Sequence, residues 1–176
     1  MSGSLGDLVS AMDGAMVVVT TAVDDQRGGC LVGFHCQCSI EPERYAIWLS
    51  VANHTYRLVL FADHLAVHVL RPGDEAVAAH WGGLSEDEGD KFADVAWTPG
   101  PGGVPLLDDV PRRFVGRRLT VLDDGSDHAC VVVEPVEVHG VSDEAPLRLS
   151  DVADVEPGHP ATDRPIPDLH RPARPH

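Results

Sequence analysis

The chain has 176 residues and a formal net charge of −15 at pH 7. This length suits one domain with a single core, and a surplus of acidic residues repels the phosphates of nucleic acids and of anionic membrane surfaces. The sequence has no run of about 18 apolar residues that could cross a membrane, and its first residues lack the pattern of a secretory signal. We therefore expect a cytoplasmic protein with its four cysteines reduced, and with no nucleic-acid or membrane partner.

Short apolar runs separated by turn residues continue to about residue 140. Runs rich in valine and threonine predict buried strands, and the Asp/Gly or Pro/Gly clusters between them predict turns. Strands are predicted at residues 16–23, 30–39, 44–51, 65–70 and 93–97, with a hairpin at 113–122 and 128–139. Helices are predicted at 4–13, at 56–62 and from 72–74 onward, with turns at 24–29 and 98–103 and an acidic loop at 85–90.

The order of these elements indicates the class of fold. Long alternating βαβ units are absent, as is a GxGxxG turn after a strand, which disfavours a dinucleotide-binding sheet. A mainly β structure with short helices at the ends of a small closed barrel fits the pattern better.

The last part of the chain differs in composition from the rest. Six of the residues at 151–176 are proline and few are large and apolar, so this segment cannot bury enough surface to fold alone. We expect a domain at 1–150 and a Pro-rich C-terminal tail at 151–176, which is either disordered or an arm laid on another surface.

Three segments concentrate the glycine, histidine, cysteine and hydroxyl residues from which a ligand site could be built. They are Gly-Cys-Leu-Val-Gly-Phe-His-Cys-Gln-Cys-Ser at 29–39, Leu-Ser-Val-Ala-Asn-His-Thr at 49–55 and Gly-Ser-Asp-His at 125–128. Supporting motifs are Val-Val-Thr-Thr at 18–21, Leu-Ala-Val-His-Val-Leu at 65–70, Lys-Phe at 91–92 and Gly-Val-Pro-Leu at 103–106. In this collinear order they resemble the flavin-reductase-like family of FMN-binding split-barrel proteins, over roughly residues 5–140.

The resemblance implies an FMN-binding split barrel, a Greek-key-like antiparallel six-stranded barrel with flanking helices. It implies a homodimer that binds FMN, or alternatively FAD, near the subunit interface. The implied reaction is hydride transfer from NAD(P)H to flavin, and the reduced flavin would then serve a monooxygenase partner. The chain departs from the family at Gly33-Phe34, where two small residues are usual, and at Glu41-Pro42-Glu43, where Asp-Pro-Pro is common. These departures leave the choice among FMN, FAD and a deazaflavin open.

Several residues are expected to contact the flavin. The N–H groups at the helix start after Asn53 attract a phosphate, and Asn53 and Thr55 add side-chain donors, although simple helix capping explains them equally well. Gly33 lets a planar ligand approach the backbone, with a β-bulge as the alternative. Gln37 offers an amide to the ring, with an exposed strand position as the alternative. The expected contacts are Val32, Gly33, Phe34, His35, Cys36, Gln37, Cys38, Ser39, Ser50, Asn53, His54 and Thr55.

The catalytic prediction rests on Asp127 and His128. The resemblance implies that His128 lies near the flavin and the nicotinamide, where a histidine can orient the pyridine nucleotide or stabilise charge on reduced flavin. Asp127 would either fix the tautomer of His128 or stabilise the turn that precedes it. Ser126 is an insertion relative to the family motif. The alternative interpretation of His128 is a solvent-exposed histidine at the start of a strand, without a catalytic role.

Three other functions stay open at this point. His35, Cys36, Cys38 and His54 are soft ligands close together in sequence, and two thiolates with a histidine can hold zinc. A Cys-x-Cys pair is nevertheless a weak zinc signal. The barrel can also carry a flavin or a haem-like ligand without catalysis, or it can use a deazaflavin as the electron donor.

Overall fold

An antiparallel sheet of seven strands forms the centre of the molecule. The computed structural model describes residues 3–83, 89–156 and 158. The main sheet contains β1 (Val17–Val23), β2 (Gln26–Val32), β3 (His35–Ile40), β4 (Glu43–Ser50), β5 (His64–Val69), β8 (Arg113–Leu122) and β9 (His128–His139). Its strand order is β2-β1-β5-β8-β9-β4-β3, and β6 (Trp97–Pro99) pairs separately with β7 (Pro105–Leu107).

Within the described ranges, three short α-helices flank the strands. They are α1 (Leu5–Ser10), α2 (His54–Val59) and α3 (Glu75–Gly83), and 3₁₀ helices cover Pro101–Gly103 and Leu149–Val152. The longest of these helices, α3, has nine residues, so no helix in the described part of the chain is long enough to cross a membrane. The predicted mainly β antiparallel fold with short helices is confirmed, with seven strands in the main sheet rather than six.

The main core lies inside the curved sheet. Alternate residues of five strands point inward because successive side chains of a strand face opposite sides. They are Val17, Val19, Cys30, Val32, Ile47, Leu49, Leu65, Val67, Ala129, Val131 and Val133. Helix α2 adds Tyr56 and Val59 to this core. A fully buried Val or Leu side chain contributes about 1.5–3 kcal/mol, so α2 is an integral part of the barrel.

A second core lies on the other side of β1. Met16 and Val18 pack there with Trp81 of α3 and with Val152 near the C-terminal end of the described chain. Gly29 is required at this point, because a Cβ there would lie 2.3 Å from the Cζ3 atom of Trp81. The second core therefore fixes α3 and the Leu149–Val152 helix against β1 and β2.

Several element boundaries differ from the sequence-based predictions. The hairpin at 113–122 and 128–139 is confirmed to the residue. The single strand expected at 30–39 is broken at 33–34, where β2 ends and β3 begins. The helix expected at 56–62 begins at His54, because Asn53 caps it, and ends at Val59. The strand expected at 93–97 is wrong: residues 91–94 form turns, and the strand is Trp97–Pro99.

Two predicted segments fall mostly outside the described residues. Only residues 89 and 90 of the acidic loop at 85–90 are described, and both are exposed. The tail is described at 151–156 and 158, where Val152 is buried and Val155 packs against the second core. Residues 157 and 159–176 lie outside the description, so the division at residue 150 stays a prediction.

Candidate ligand site

A cavity of about 310 Å³ opens between β2, β4 and α3. Its volume is within the range of small-molecule sites, which are mostly apolar with a few placed polar groups. Sixteen described residues line it: Met16, Cys30, Leu31, Val32, Gly33, Phe34, Trp48, Leu49, Ser50, Asn53, Trp81, Gly82, Lys91, His128, Leu149 and Gly158. Six of these are among the residues predicted from the sequence, namely Val32, Gly33, Phe34, Ser50, Asn53 and His128.

The link between β2 and β3 forms one wall of the cavity. A Cβ at Gly33 would lie 3.4 Å from the Sδ atom of Met16, so packing within the protein does not demand a glycine there. The missing side chain instead leaves the backbone open to a ligand. Phe34 is 55% exposed, and its ring meets the ring of His128 edge-on with centroids 5.2 Å apart.

Strand pairing brings His128 beside Ser50. His128 opens β9 and Ser50 closes β4, and the two residues are direct partners across these antiparallel strands. The buried Oγ atom of Ser50 has no hydrogen-bond partner within the described chain. An unsatisfied buried hydroxyl costs free energy, so a ligand atom bound here would remove a penalty that the protein otherwise carries.

Asp127 holds the ring of His128. The Nδ1 atom of His128 shares a 3.0 Å hydrogen bond with Oδ1 of Asp127. This hydrogen bond is the main reason that the pKa of Asp127 lies below its usual value. The turn before them is itself ordered, because Asp123 and Asp124 accept hydrogen bonds from the N–H groups of Gly125 and Ser126. Asp127 does not line the cavity, so its contact is with His128.

The start of α2 reaches the cavity through one residue. Oδ1 of Asn53 accepts a 2.9 Å hydrogen bond from the N–H group of Thr55, so Asn53 caps the helix and also lines the cavity. Thr55 is fully buried, and its Oγ1 atom would lie 3.3 Å from a Cβ placed on Gly28. Thr55 thus faces the β1–β2 hairpin, and neither Thr55 nor His54 lines the cavity.

Most of β3 lies outside the cavity. Cys36, Gln37 and Cys38 are exposed, and the Nε2 atom of Gln37 donates to the backbone oxygen of Ser39. His35 is held between Tyr45 Oη (2.6 Å) and the Ala15 carbonyl (2.8 Å), and burial lowers its pKa. The structure therefore does not bring the β3 residues to the cavity of a single chain, and their contact with flavin stays a prediction.

Ten of the sixteen lining residues were not predicted as site residues, and Lys91 is the charged one among them. Lys91 is 5% exposed, and its Nζ atom donates to the carbonyls of Gly29 (3.3 Å) and Trp81 (3.5 Å). The cavity lining also includes Trp48, Trp81 and Gly158. The sequence offered a reason to consider Lys91 as a site residue, since it is the one lysine in the chain and belongs to the Lys-Phe motif. The sequence offered no such reason for Gly158, because its position depends on the path of the chain after β9.

The zinc alternative finds no support in the described ranges. They contain no group of three or more His, Cys, Asp or Glu side chains placed to hold a metal ion. Both ring nitrogens of His35 are already engaged, with Tyr45 and with the Ala15 carbonyl.

A curved antiparallel barrel with a largely apolar cavity at the ends of β2, β4 and β9 is an arrangement that can bind a small ligand. The profile of the flavin reductase like domain matches residues 9–153. The chain therefore belongs to the flavin-reductase-like family, as the resemblance in the sequence predicted.

Curated relatives match most of this chain. The reductase subunit HsaB of a flavin-dependent monooxygenase from Rhodococcus jostii is 28% identical over 74% of this chain and 66% of that protein. Its counterpart from Mycobacterium tuberculosis is 28% identical, and the match covers 60% of its length. The FMN reductase (NADH) SmoA from Agrobacterium fabrum is 28% identical over 76% of this chain and 74% of that protein. The chain thus spans less than two thirds of the HsaB proteins.

Solved structures share the fold at low sequence identity. A flavin reductase domain protein from Arthrobacter has a TM-score of 0.72 and 21% identity, covering 84% of this chain and 92% of that one. The Streptomyces globisporus NADH:FAD oxidoreductase SgcE6, in complex with NAD and FAD fragments, has a TM-score of 0.71 and 19% identity, covering 86% and 93%. These likenesses confirm the predicted split-barrel fold.

Proposed function

We propose that this chain is an NADH-dependent flavin reductase that binds FMN in the cavity between β2, β4 and α3. The main support for this proposal is that Gly33, Ser50 and His128 line the same cavity. These residues come from three separate motifs of the sequence. The FMN reductases (NADH) SmoA and RutF among the relatives support the choice of cofactor and donor, and the Streptomyces protein keeps FAD as an alternative.

The residues present fit a flavin. The cavity has an apolar lining in which Val32, Leu49 and Trp81 can contact the ring system, and Gly33 leaves room for a flat ligand beside the backbone. The partnerless Oγ of Ser50 and the side chain of Asn53 supply the polar groups. When bound, FMN accepts a hydride from NADH.

The protein's part in this reaction is binding and orientation. Asp127 fixes the ring of His128 through Nδ1, which leaves Nε2 as the nitrogen that can meet a ligand. The Phe34 ring packs edge-on against His128 and restricts its position. We infer that this pair holds the nicotinamide of NADH over the flavin, because both side chains line the cavity near its exposed rim.

We further propose that the protein is a cytoplasmic homodimer and that its reduced flavin serves a monooxygenase. An open apolar groove supports the dimer. It is lined by Leu5, Gly6, Val9, Phe34 and Trp48, and we call it the α1 groove. Phe34 and Trp48 line the ligand cavity as well, so a second subunit here would adjoin the flavin.

The exposed Cys36 and Cys38 thiols suit a reducing compartment. The HsaB relatives, as reductase subunits of a monooxygenase, support the partner.

An anaerobic titration tests the activity. The purified chain is mixed with FMN, and NADH is then added while the visible spectrum is recorded. We expect a perturbed flavin band that bleaches rapidly with NADH. A bound flavin that stays yellow with both NADH and NADPH would contradict the reductase and favour a carrier or a deazaflavin-dependent enzyme. A protein that leaves the FMN spectrum and fluorescence unchanged would contradict flavin binding itself.

A further inference from the structure

Three of the four cysteines share the outer face of the main sheet. Cys130 alternates along β9 with Ala129 and Val131, which belong to the barrel core, so Cys130 faces outward. Burial raises the pKa of the Cys130 thiol, and the nearby thiols of Cys38 and Cys36 raise it further. This electrostatic coupling places the thiols of Cys36 and Cys38 on the same outer face, at β3.

Cys36 and Cys38 are within bridging range of each other. One residue of β3 separates them, and both are exposed to a dissolved oxidant. Two steps along a strand span about 6.7 Å, and disulfides join Cα atoms that are about 4.4–6.8 Å apart. The register of β3 shifts between Gln37 and Ser39, which leaves Cys38 without a Cα partner on β4. A strand bends at such a bulge, which brings the residues around it closer together.

The position of β3 in the sheet makes a local adjustment inexpensive. It is the last strand in the sheet order and is paired with β4. A small change in its backbone therefore disturbs one ladder of hydrogen bonds, and at Cys38 that ladder is already interrupted.

The other two thiols are poorly placed to join this pair. In the sheet order β4 lies between β3 and β9, and strands two places apart are separated by about 9.5 Å. That separation exceeds the limit of about 7 Å at which two Cα atoms can be bridged, so Cys130 is too far away. Cys30 is buried in the barrel core, on the opposite face of the sheet. These two cysteines therefore serve as internal controls.

We propose that Cys36 and Cys38 form a dithiol that hydrogen peroxide oxidises to an intrachain disulfide. One thiol attacks a peroxide oxygen, the O–O bond breaks, and a sulfenic acid and one water form. The second thiol attacks the sulfenic sulfur, the S–S bond forms, and a second water leaves. The two thiols together lose two hydrogen atoms, and the peroxide is reduced to two waters.

The site lies beside the proposed source of such an oxidant. Reduced flavins react with O₂, and hydrogen peroxide is a product of that reaction. Phe34 lines the ligand cavity, and β3 begins at the next residue. The dithiol itself needs only the two thiols and peroxide, so its formation of a disulfide does not depend on the proposed function.

Counting thiols by mass tests the pair. The reduced full chain is treated with hydrogen peroxide, the peroxide is removed, and the chain is unfolded in guanidinium chloride with N-ethylmaleimide so that every remaining thiol is labelled. We expect the oxidised chain to carry two labels rather than four and to have lost two hydrogen atoms. Peptide mapping should find the bridge between Cys36 and Cys38, and dithiothreitol before labelling should restore four labels.

Serine variants separate the pair from the other thiols. Cys130→Ser should still form the bridge and should keep one label, on Cys30. Cys36→Ser and Cys38→Ser each lack one partner, so the remaining thiol of the pair should gain oxygen atoms rather than form an intrachain bridge.

The results that overturn the proposal are distinct. Four labels after peroxide treatment, or oxygen atoms added to Cys36 and Cys38 without a bridge, would show that the two thiols do not pair. A bridge that contains Cys130, or a covalent dimer in the absence of reductant, would assign the reaction to a different pair. A chain that binds no flavin would contradict the proposed function while still forming the bridge, because the assay supplies the peroxide.

Discussion

His128 lies where the main parts of the cavity meet. It pairs with Ser50 across the sheet, contacts Phe34 and shares a hydrogen bond with Asp127. We expect His128→Ala to lower kcat for flavin reduction by about 100-fold, with the dissociation constant of FMN changed by less than about threefold. Stopped-flow reduction by NADH measures the first quantity, and fluorescence titration measures the second.

His139→Ala is the matched control for this variant. His139 ends the strand that His128 opens, and it is exposed beside Glu137. Its removal should leave both kinetic and binding constants unchanged. Turnover in His128→Ala equal to that of the unsubstituted chain would remove His128 from the mechanism.

His68 makes the stability of the fold depend on pH. It is fully buried on β5, where Nε2 shares a 3.2 Å hydrogen bond with Thr20 Oγ1. Burial lowers its pKa to about 4, with a further contribution from Arg113. The unfolded chain takes up a proton near pH 6.5 while the folded chain does not. The contribution of neutral, buried His68 to the free energy of unfolding is therefore complete above pH 6.5. As the pH falls from 6.5 to 4, this group lowers the free energy of unfolding by up to about 1.4 kcal/mol per pH unit.

Urea unfolding at pH 7, 6, 5 and 4.5 measures this dependence. His68→Gln removes the titrating group, so its unfolding free energy should fall less steeply with acid, whatever its value at pH 7. The exposed variant His139→Ala should keep the slope of the unsubstituted chain. Equal slopes for the unsubstituted chain and His68→Gln would contradict the assignment.

Helices α1 and α2 have the same kind of N-cap but different roles in the fold. Oγ of Ser4 accepts from the N–H group of Asp7, as Oδ1 of Asn53 accepts from that of Thr55. Helix α1 buries no residue, whereas α2 buries four. We expect Asn53→Ala to lower the global free energy of unfolding by about 1 kcal/mol. We expect Ser4→Ala to speed amide exchange within α1 and to leave the melting temperature nearly unchanged.

A large fall in melting temperature for Ser4→Ala would contradict this difference between the two helices. Because Asn53 also lines the cavity, Asn53→Ala should weaken FMN binding as well, which Ser4→Ala should not do. Denaturant unfolding and FMN titration on the same preparations separate the two effects.

Strand and helix boundaries were predictable where local patterns and turns agree. The hairpin at 113–139 was predicted to the residue because a run of Asp, Gly and Ser separates two strands rich in branched side chains. The error at 93–97 has a specific cause: Oδ1 of Asp90 accepts from the N–H group of Phe92, and this turn competes with extension. The strand begins at Trp97, where pairing with β7 becomes available.

At the scale of the whole molecule, the α1 groove predicts the oligomeric state. Leu5 is 76% exposed and Val9 40% exposed, and exposed apolar patches mark interaction sites. We expect the unsubstituted chain to have about twice its monomer mass of 18.8 kDa in solution, and Leu5→Glu/Val9→Glu to lower this to the monomer mass. Light scattering after size-exclusion chromatography measures both.

Val138→Glu/Val141→Glu is the control for the dimer. It places the same two charges on exposed apolar residues outside the groove, so the dimer should persist. A dimer that survives in Leu5→Glu/Val9→Glu would rule out the α1 groove as the interface, and a monomeric unsubstituted chain would contradict the dimer itself.

The sequence by itself determined the mainly β class, the hairpin and the family, because these depend on residue patterns that lie close together or in a fixed order along the chain. It also identified Gly33, Ser50 and His128, which the structure brings to one cavity. Only the tertiary structure decided that Thr55 faces the β1–β2 hairpin and that Cys36 is exposed outside the cavity. Strand register and sheet curvature set those directions, and residues far apart in sequence determine both.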